Sequence, residues 1–174
     1  LKRFNFSMYQ KLTDDFAPVE YMTGKLIRDN FGGLSAMPSG DEMMAVIEQQ
    51  LSYGPRSMSS EGRKKTGDFL LAEMETLAPA AFEQKFIYNA ENGKEFELRN
   101  IIGRFWPENH KRIILGTHYD SKEGVPGAND SASGVAVLVE VARFLANTEQ
   151  IPPIGVDVVF FDGEEGDESV KNDY

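Results

Sequence analysis

The sequence predicts an α/β protein built on a mixed sheet with an antiparallel edge and a parallel centre, and three observations predict it. One is a strand, loop, helix and strand in succession between Ile113 and Glu165. Another is a pair of strand-like segments joined through Asn92-Gly93 between Ala81 and Phe105, and the third is two amphipathic helical segments ahead of both. Two parallel strands need a crossover of about a dozen residues or more, which a helix supplies. The Ile113 to Glu165 stretch therefore reads as a βαβ unit, and the order helix, helix, hairpin, βαβ gives the mixed sheet.

Residues 1–40 show little periodicity. Asp14-Asp15-Phe16-Ala17-Pro18 and Gly32-Gly33 break whatever helices form there, so they read as an N-terminal arm, with residues 41–174 as one domain. Ser39-Gly40-Asp41-Glu42 opens a helix with an acidic first turn that complements the helix dipole. Met43, Met44, Val46, Ile47 and Leu51 form its apolar face, and Tyr53-Gly54-Pro55 stops it. A second amphipathic helix runs from Glu61 to Leu77, burying Phe69, Leu70, Met74 and Leu77 and leaving Arg63, Lys64, Lys65 and Asp68 in water. Phe82, Gln84, Phe86 and Tyr88 then alternate with Glu83, Lys85 and Ile87, the pattern of an edge strand, and Asn-Gly is a strong hairpin signal. The return segment Leu98 to Phe105 is more continuously apolar and is expected further inside. Pro107 to His110 is a turn, with His110 at the surface.

Ile113-Ile114-Leu115-Gly116-Thr117 is a short apolar run, expected to be a buried strand, that surfaces at His118-Tyr119-Asp120. A Gly- and Pro-containing loop delivers Asn129-Asp130 to the start of a helix whose face is Val135, Leu138, Val141, Ala142 and Leu145. Ile151-Pro152-Pro153 prevents more helix, and Val156 to Phe161 is a second strand ending on Asp162-Gly163-Glu164-Glu165. Ligands of such sheets bind beyond the carboxyl ends of the strands, so His118, Asp120, Asp130, Glu164 and Glu165 are expected to meet there. An imidazole with several carboxylates and no thiol suits a catalytic divalent metal, zinc above all. One of the two adjacent glutamates can bind the metal while the other serves as general base. Singly, these acids read as solvated loop residues, and Asp130 alone as a helix N-cap; their conjunction at two strand ends favours the metal site.

Composition narrows the function classes. With 174 residues the chain holds one domain-sized core. A formal net charge of -10 argues against nucleic acid, whose phosphates require a basic surface, and permits a cationic partner such as a peptide with a free α-amine. The absence of cysteine excludes disulfides, thiolate zinc sites and a cysteine nucleophile. No apolar run approaches the roughly 18 residues of a membrane span. The first residue is Leu1 rather than Met, and a cleaved signal peptide would leave no trace; a periplasmic or secreted location is the expectation.

Asn100-Ile101-Ile102-Gly103, Gly116-Thr117-His118-Tyr119-Asp120-Ser121-Lys122, Gly127-Ala128-Asn129-Asp130-Ser131-Ala132-Ser133-Gly134-Val135 and Phe160-Phe161-Asp162-Gly163-Glu164-Glu165 together resemble the successive motifs of the zinc aminopeptidase and glutaminyl cyclase superfamily, in particular its bacterial glutaminyl-peptide cyclotransferases. Tyr53-Gly54-Pro55-Arg56 is similar to that family's N-terminal part. The resemblance implies an α/β/α sandwich of the phosphorylase/hydrolase-like zinc exopeptidase type, around a mixed, mostly parallel sheet. It further implies that Asp130 and Glu165 are zinc ligands, Glu164 the catalytic acid/base, His118 the ligand of a second zinc in the aminopeptidases, and Asp120 the acid that holds that histidine.

Cyclases of this kind use one zinc to convert the N-terminal glutamine of a peptide to pyroglutamate with release of ammonia. Aminopeptidases use two to hydrolyse the first peptide bond. His-Tyr-Asp-Ser-Lys and Phe-Phe-Asp-Gly-Glu-Glu look more like the cyclases, and Gly166-Asp167-Glu168-Ser169 stands where aminopeptidases often have Gly-Leu-x-Gly-Ser, so a cyclase acting on peptide or protein N-termini is the first expectation. A zinc aminopeptidase is the second, and a metal-free binding domain of the same fold the third. The family's distal zinc-ligating histidine and substrate pocket fall beyond Tyr174, so the domain is expected to be incomplete at its C-terminus. The strand at Val156 to Phe161 is then expected to be interior to the full sheet and, in these 174 residues, to expose one edge.

Overall fold

A computed structural model of the chain describes residues 39–149 and 151–166; the expected N-terminal arm lies almost entirely outside them. Helix α1, Gly40–Ser52, starts at a capping box in which the Ser39 hydroxyl accepts from the Glu42 amide at 3.1 Å and the Glu42 carboxylate accepts from the Ser39 amide at 2.8 Å. Helix α2, Glu61–Leu77, starts at Ser60, whose hydroxyl accepts from the Arg63 amide at 3.1 Å. Strands β1, Ala80–Asn89, and β2, Glu95–Phe105, form the predicted hairpin. β3, Arg112–His118, is followed by a loop, a wide turn over Ala128–Ser133, helix α3 at Gly134–Ala146, and β4 at Gly155–Phe161.

The four strands lie in the order β1-β2-β4-β3, with β1 and β4 antiparallel to β2 and with β3 parallel to β4. This is the predicted antiparallel edge and parallel βαβ pair. Because side chains alternate across a strand, Ile101 and Phe105 of β2 and Val156, Val158 and Phe160 of β4 share one face. There they form a core with Val46 of α1, Leu70 and Met74 of α2, and Val135 and Val139 of α3. All three helices thus cover the same face, one helical layer of the expected sandwich. On the other face Phe82, Ile102 and Val159 stand in register, beside Ile114 and Asp157. No described helix covers them.

Four local expectations are corrected. β3 is not a buried strand: it is the edge of the described sheet, and Ile114 is 65% exposed. β4 has neither edge open, since β2 and β3 pair with it on either side; the unpaired edge among the described residues belongs to β3. Met44 faces out, and the inward position of that helix is taken instead by Gln50, which is fully buried and donates to the carbonyls of Val46 and Ala132, each at 3.1 Å. Arg63 is buried rather than wet, because its guanidinium is paired with the buried carboxylate of Asp162.

Candidate metal centre

The site lies where β3 and β4 end side by side. Their parallel register sets His118 opposite Phe161, so the residues after each strand leave the sheet at one point. The Tyr119 amide donates to the Phe161 carbonyl at 2.9 Å, extending the pairing one step into the loops. Asp120 follows, fully buried, and its carboxylate joins the two strand ends. It accepts from the Glu165 amide at 2.9 Å and the Glu164 amide at 3.3 Å, and it faces Nδ1 of His118 at 3.3 Å.

With Nδ1 held by Asp120, the other ring nitrogen of His118 points into the site. Nε2 lies 3.0 Å from Oδ1 of Asp130 and 3.8 Å from Oε2 of Glu164. Asp130 sits in the Ala128–Ser133 turn with extended backbone angles, and no side chain caps either that turn or α3. The bland reading of Asp130 as a helix N-cap therefore fails: its carboxylate is directed at His118. Ligand atoms of His118, Asp130 and Glu165 all fall within 4.8 Å of one another. The two glutamates lie beyond the strand, because β4 ends at Phe161 and they occupy the turn after it. The turn still divides them: the Glu165 side chain is 6% exposed, with Lys122 3.6 Å away, whereas that of Glu164 is 58% exposed.

The electrostatics at the cluster favour positive charge among these groups. The hydrogen bond and charge of Asp120 push the His118 imidazole up to about 9 despite its burial, with Glu164 and Asp130 adding to the effect. Burial pushes the Glu165 carboxyl above its ordinary range, and the negative charges of Asp130 and Glu164 add to that, while Lys122 and His118 oppose it. One imidazole nitrogen and two carboxylates, the imidazole braced from behind by an acid, form a donor set that zinc accepts. All five residues expected at the site are brought together.

Two supporting residues escaped sequence reasoning. Asp162 is buried beneath the loop, paired with Arg63, and accepts from the Arg99 amide at 2.9 Å while its own amide donates to Asn100 at 2.9 Å. Burial pushes its carboxyl up, and Arg63 and the Arg99 amide hold it against that push. Arg56 is fully buried and directed at the backbone of the 119–127 loop.

Residues 100–167, which include every one of the clustered acids, match Peptidase family M28. A Drosophila melanogaster protein named glutaminyl-peptide cyclotransferase is 26% identical over 160 residues, which cover 87% of this chain and 44% of that protein. The solved structure of Porphyromonas gingivalis glutaminyl cyclase is similar with 34% identity and a TM-score of 0.69, over 73% of this chain and 46% of that one. A Zn-dependent exopeptidase from Parabacteroides distasonis is equally similar, with 34% identity and a TM-score of 0.70, over 78% of this chain and 51% of that one. The chain thus spans about half the length of these two solved proteins. In sequence and in fold it is similar to both branches, and the resemblance to the zinc aminopeptidase and glutaminyl cyclase superfamily that its motifs carry is a property of the folded chain.

Proposed function

We propose that the protein is a zinc-dependent glutaminyl-peptide cyclotransferase, and that this chain contributes its carboxylate ligands and its proton carrier. The observation that carries the reading is the convergence of His118, Asp130 and Glu165 at two adjacent strand ends, with Glu164 beside them and more exposed. The motifs around His118 and Glu164, and the likeness to a glutaminyl cyclase structure over most of the chain, support the cyclase branch.

Asp130 and Glu165 would hold the metal, and Asp120 keeps the His118 ring turned toward the same point. Zinc, when bound, supplies a Lewis acid that polarises the side-chain amide carbonyl of the substrate's N-terminal glutamine. The free α-amine attacks that carbonyl carbon: the bond to the α-nitrogen forms, and the bond to the side-chain nitrogen breaks. Glu164 accepts a proton from the attacking nitrogen and donates it to the departing one, which leaves as ammonia. No water is consumed.

The aminopeptidase reading has one observation in its favour: Nε2 of His118 faces Asp130 at 3.0 Å, so the imidazole stands where it would serve as ligand to a second metal. One experiment separates the readings. The full-length protein is incubated with glutaminyl peptides and, separately, with amino-acid anilides. Ammonia with pyroglutamyl product supports the cyclase, and free aniline supports the peptidase. Neither product from zinc-loaded protein would leave the site as a binding module.

A further inference from the structure

Arg56 belongs to the Tyr53-Gly54-Pro55-Arg56 segment between α1 and α2 and touches none of the candidate ligands, yet it is fully buried. Its guanidinium donates from Nε to the Tyr119 carbonyl at 2.8 Å, from one terminal nitrogen to the Pro126 carbonyl at 2.7 Å, and from the other to the Gly127 carbonyl at 2.8 Å. The backbone joins in: the Arg56 amide donates to the Ser121 hydroxyl at 2.9 Å, and the Ser121 amide donates to the Arg56 carbonyl at 3.2 Å. Burial pulls the guanidinium below its ordinary range, opposed by the nearby charge of Asp120. A buried cation whose hydrogen bonds go to carbonyls rather than to a carboxylate costs desolvation, so the loop geometry it imposes has to be worth that cost.

The positions of those carbonyls show what is imposed. Tyr119 directly follows His118, and Gly127 stands three residues before Asp130. The Gly127 carbonyl also accepts from the Ala132 amide at 3.1 Å, which seats the turn carrying Asp130. Gly127 has φ +62°, and a side chain there would crowd Ser121 and the Arg56 guanidinium. We propose that Arg56 is a positioning residue, whose guanidinium ties the two ends of the 119–127 loop together and thereby sets the separation of His118 and Asp130 across the metal centre. A planar fork donates to these three carbonyls from three different nitrogens, whereas an ammonium has its three donors on one nitrogen and cannot match that spacing. Gly62 permits the arrangement, since its missing side chain lets the carbonyls of Tyr53, Gly54 and Pro55 lie against the first turn of α2 and aims the next residue inward.

The inference rests on the metal reading for its consequence but not for its geometry, so the test has two arms. Backbone hydrogen exchange is measured by mass spectrometry on full-length wild-type, Arg56→Ala and Arg56→Lys protein, and Co2+ affinity is measured on the same samples with and without methylguanidinium. In Arg56→Ala, exchange over residues 119–132 should rise at least tenfold while the β1–β2 ladder keeps wild-type rates, Co2+ affinity should fall at least tenfold, and methylguanidinium should restore both. Arg56→Lys, which keeps the charge and most of the stem, should stay folded and reproduce the loop effect. Wild-type loop exchange in Arg56→Lys overturns the proposal. So does an acceleration in Arg56→Ala that is uniform over loop and ladder and unmoved by methylguanidinium. Should wild-type protein take up no Co2+, the metal reading fails, and the exchange arm alone decides whether Arg56 clamps the loop.

Discussion

Exposure separates the roles proposed for single residues at the centre. Glu165 is enclosed and Glu164 open, so the ligand role suits the first and the proton-carrying role the second. Glu164→Gln keeps the shape and should bind zinc as wild type does while losing about a hundredfold or more in turnover, the usual share of general acid/base catalysis. Asp130→Ala should lose zinc and keep the fold, because its carboxylate is exposed and the apolar core lies elsewhere. Metal analysis of both variants checks the pair; full zinc occupancy in Asp130→Ala removes the assignment. His118 adds a pH dependence. Its folded-state value is raised to about 9 from 6.5, so a metal bound through His118, as the two-metal reading has it, must displace its proton below about 9. Apparent zinc affinity should therefore rise by about tenfold per pH unit up to that value and then level off. In the metal-free protein the same shift stabilises the fold fully below about 6.5, and that contribution is lost as pH rises through about 9. Titration with a competing chelator across this range reads the first effect, and urea melts read the second.

Secondary-structure elements were legible where local chemistry decides them. The capping box at Ser39, the Asn-Gly hairpin and the alternation in β1 act within a few residues, and each stands where its pattern put it. The five site residues were legible too, because strand ends on one side of a parallel pair must coincide. Illegible were the features that depend on distant partners. Ile113-Ile114-Leu115 looks the same in a strand buried on both faces as in an edge strand with one face bare. Arg63 carries the charge of a wet helix position, and nothing nearby announces Asp162, 99 residues further on. Arg56 bonds to carbonyls, which every residue has. The Arg63–Asp162 pair also gives an energetic prediction between elements. Arg63→Ala leaves a buried carboxylate without its cation and should cost about 3–5 kcal/mol, whereas Arg63→Met with Asp162→Asn should cost distinctly less than the sum of the two single changes. Urea denaturation of the four variants decides it; additive losses would show that the pair does not act as a unit.

Across the whole molecule the sheet has unequal faces. Among the described residues one face is packed by three helices; the other presents Phe82, Ile114 and Phe161, all exposed, along with the edge of β3 that no described strand pairs. Exposed apolar surface beside an open edge favours self-association. The 174-residue chain by itself should therefore associate in a concentration-dependent way, and Ile114→Lys should shift it toward monomer while changing stability by no more than about 0.5 kcal/mol, as surface changes usually do. Sedimentation of the two proteins checks this, and a wild-type monomer at high concentration would contradict it. The strand order has a consequence in time. β4 is the last of the four described strands, yet it lies between the second and the third. The β1–β2 hairpin can close on its own within microseconds, as hairpins do. β3 has no described neighbour in the sheet until β4 inserts, and that insertion closes a far longer loop. The candidate ligands His118, Asp130 and Glu165 therefore converge only when β4 inserts, so the cluster that could hold a metal should form all at once rather than by degrees.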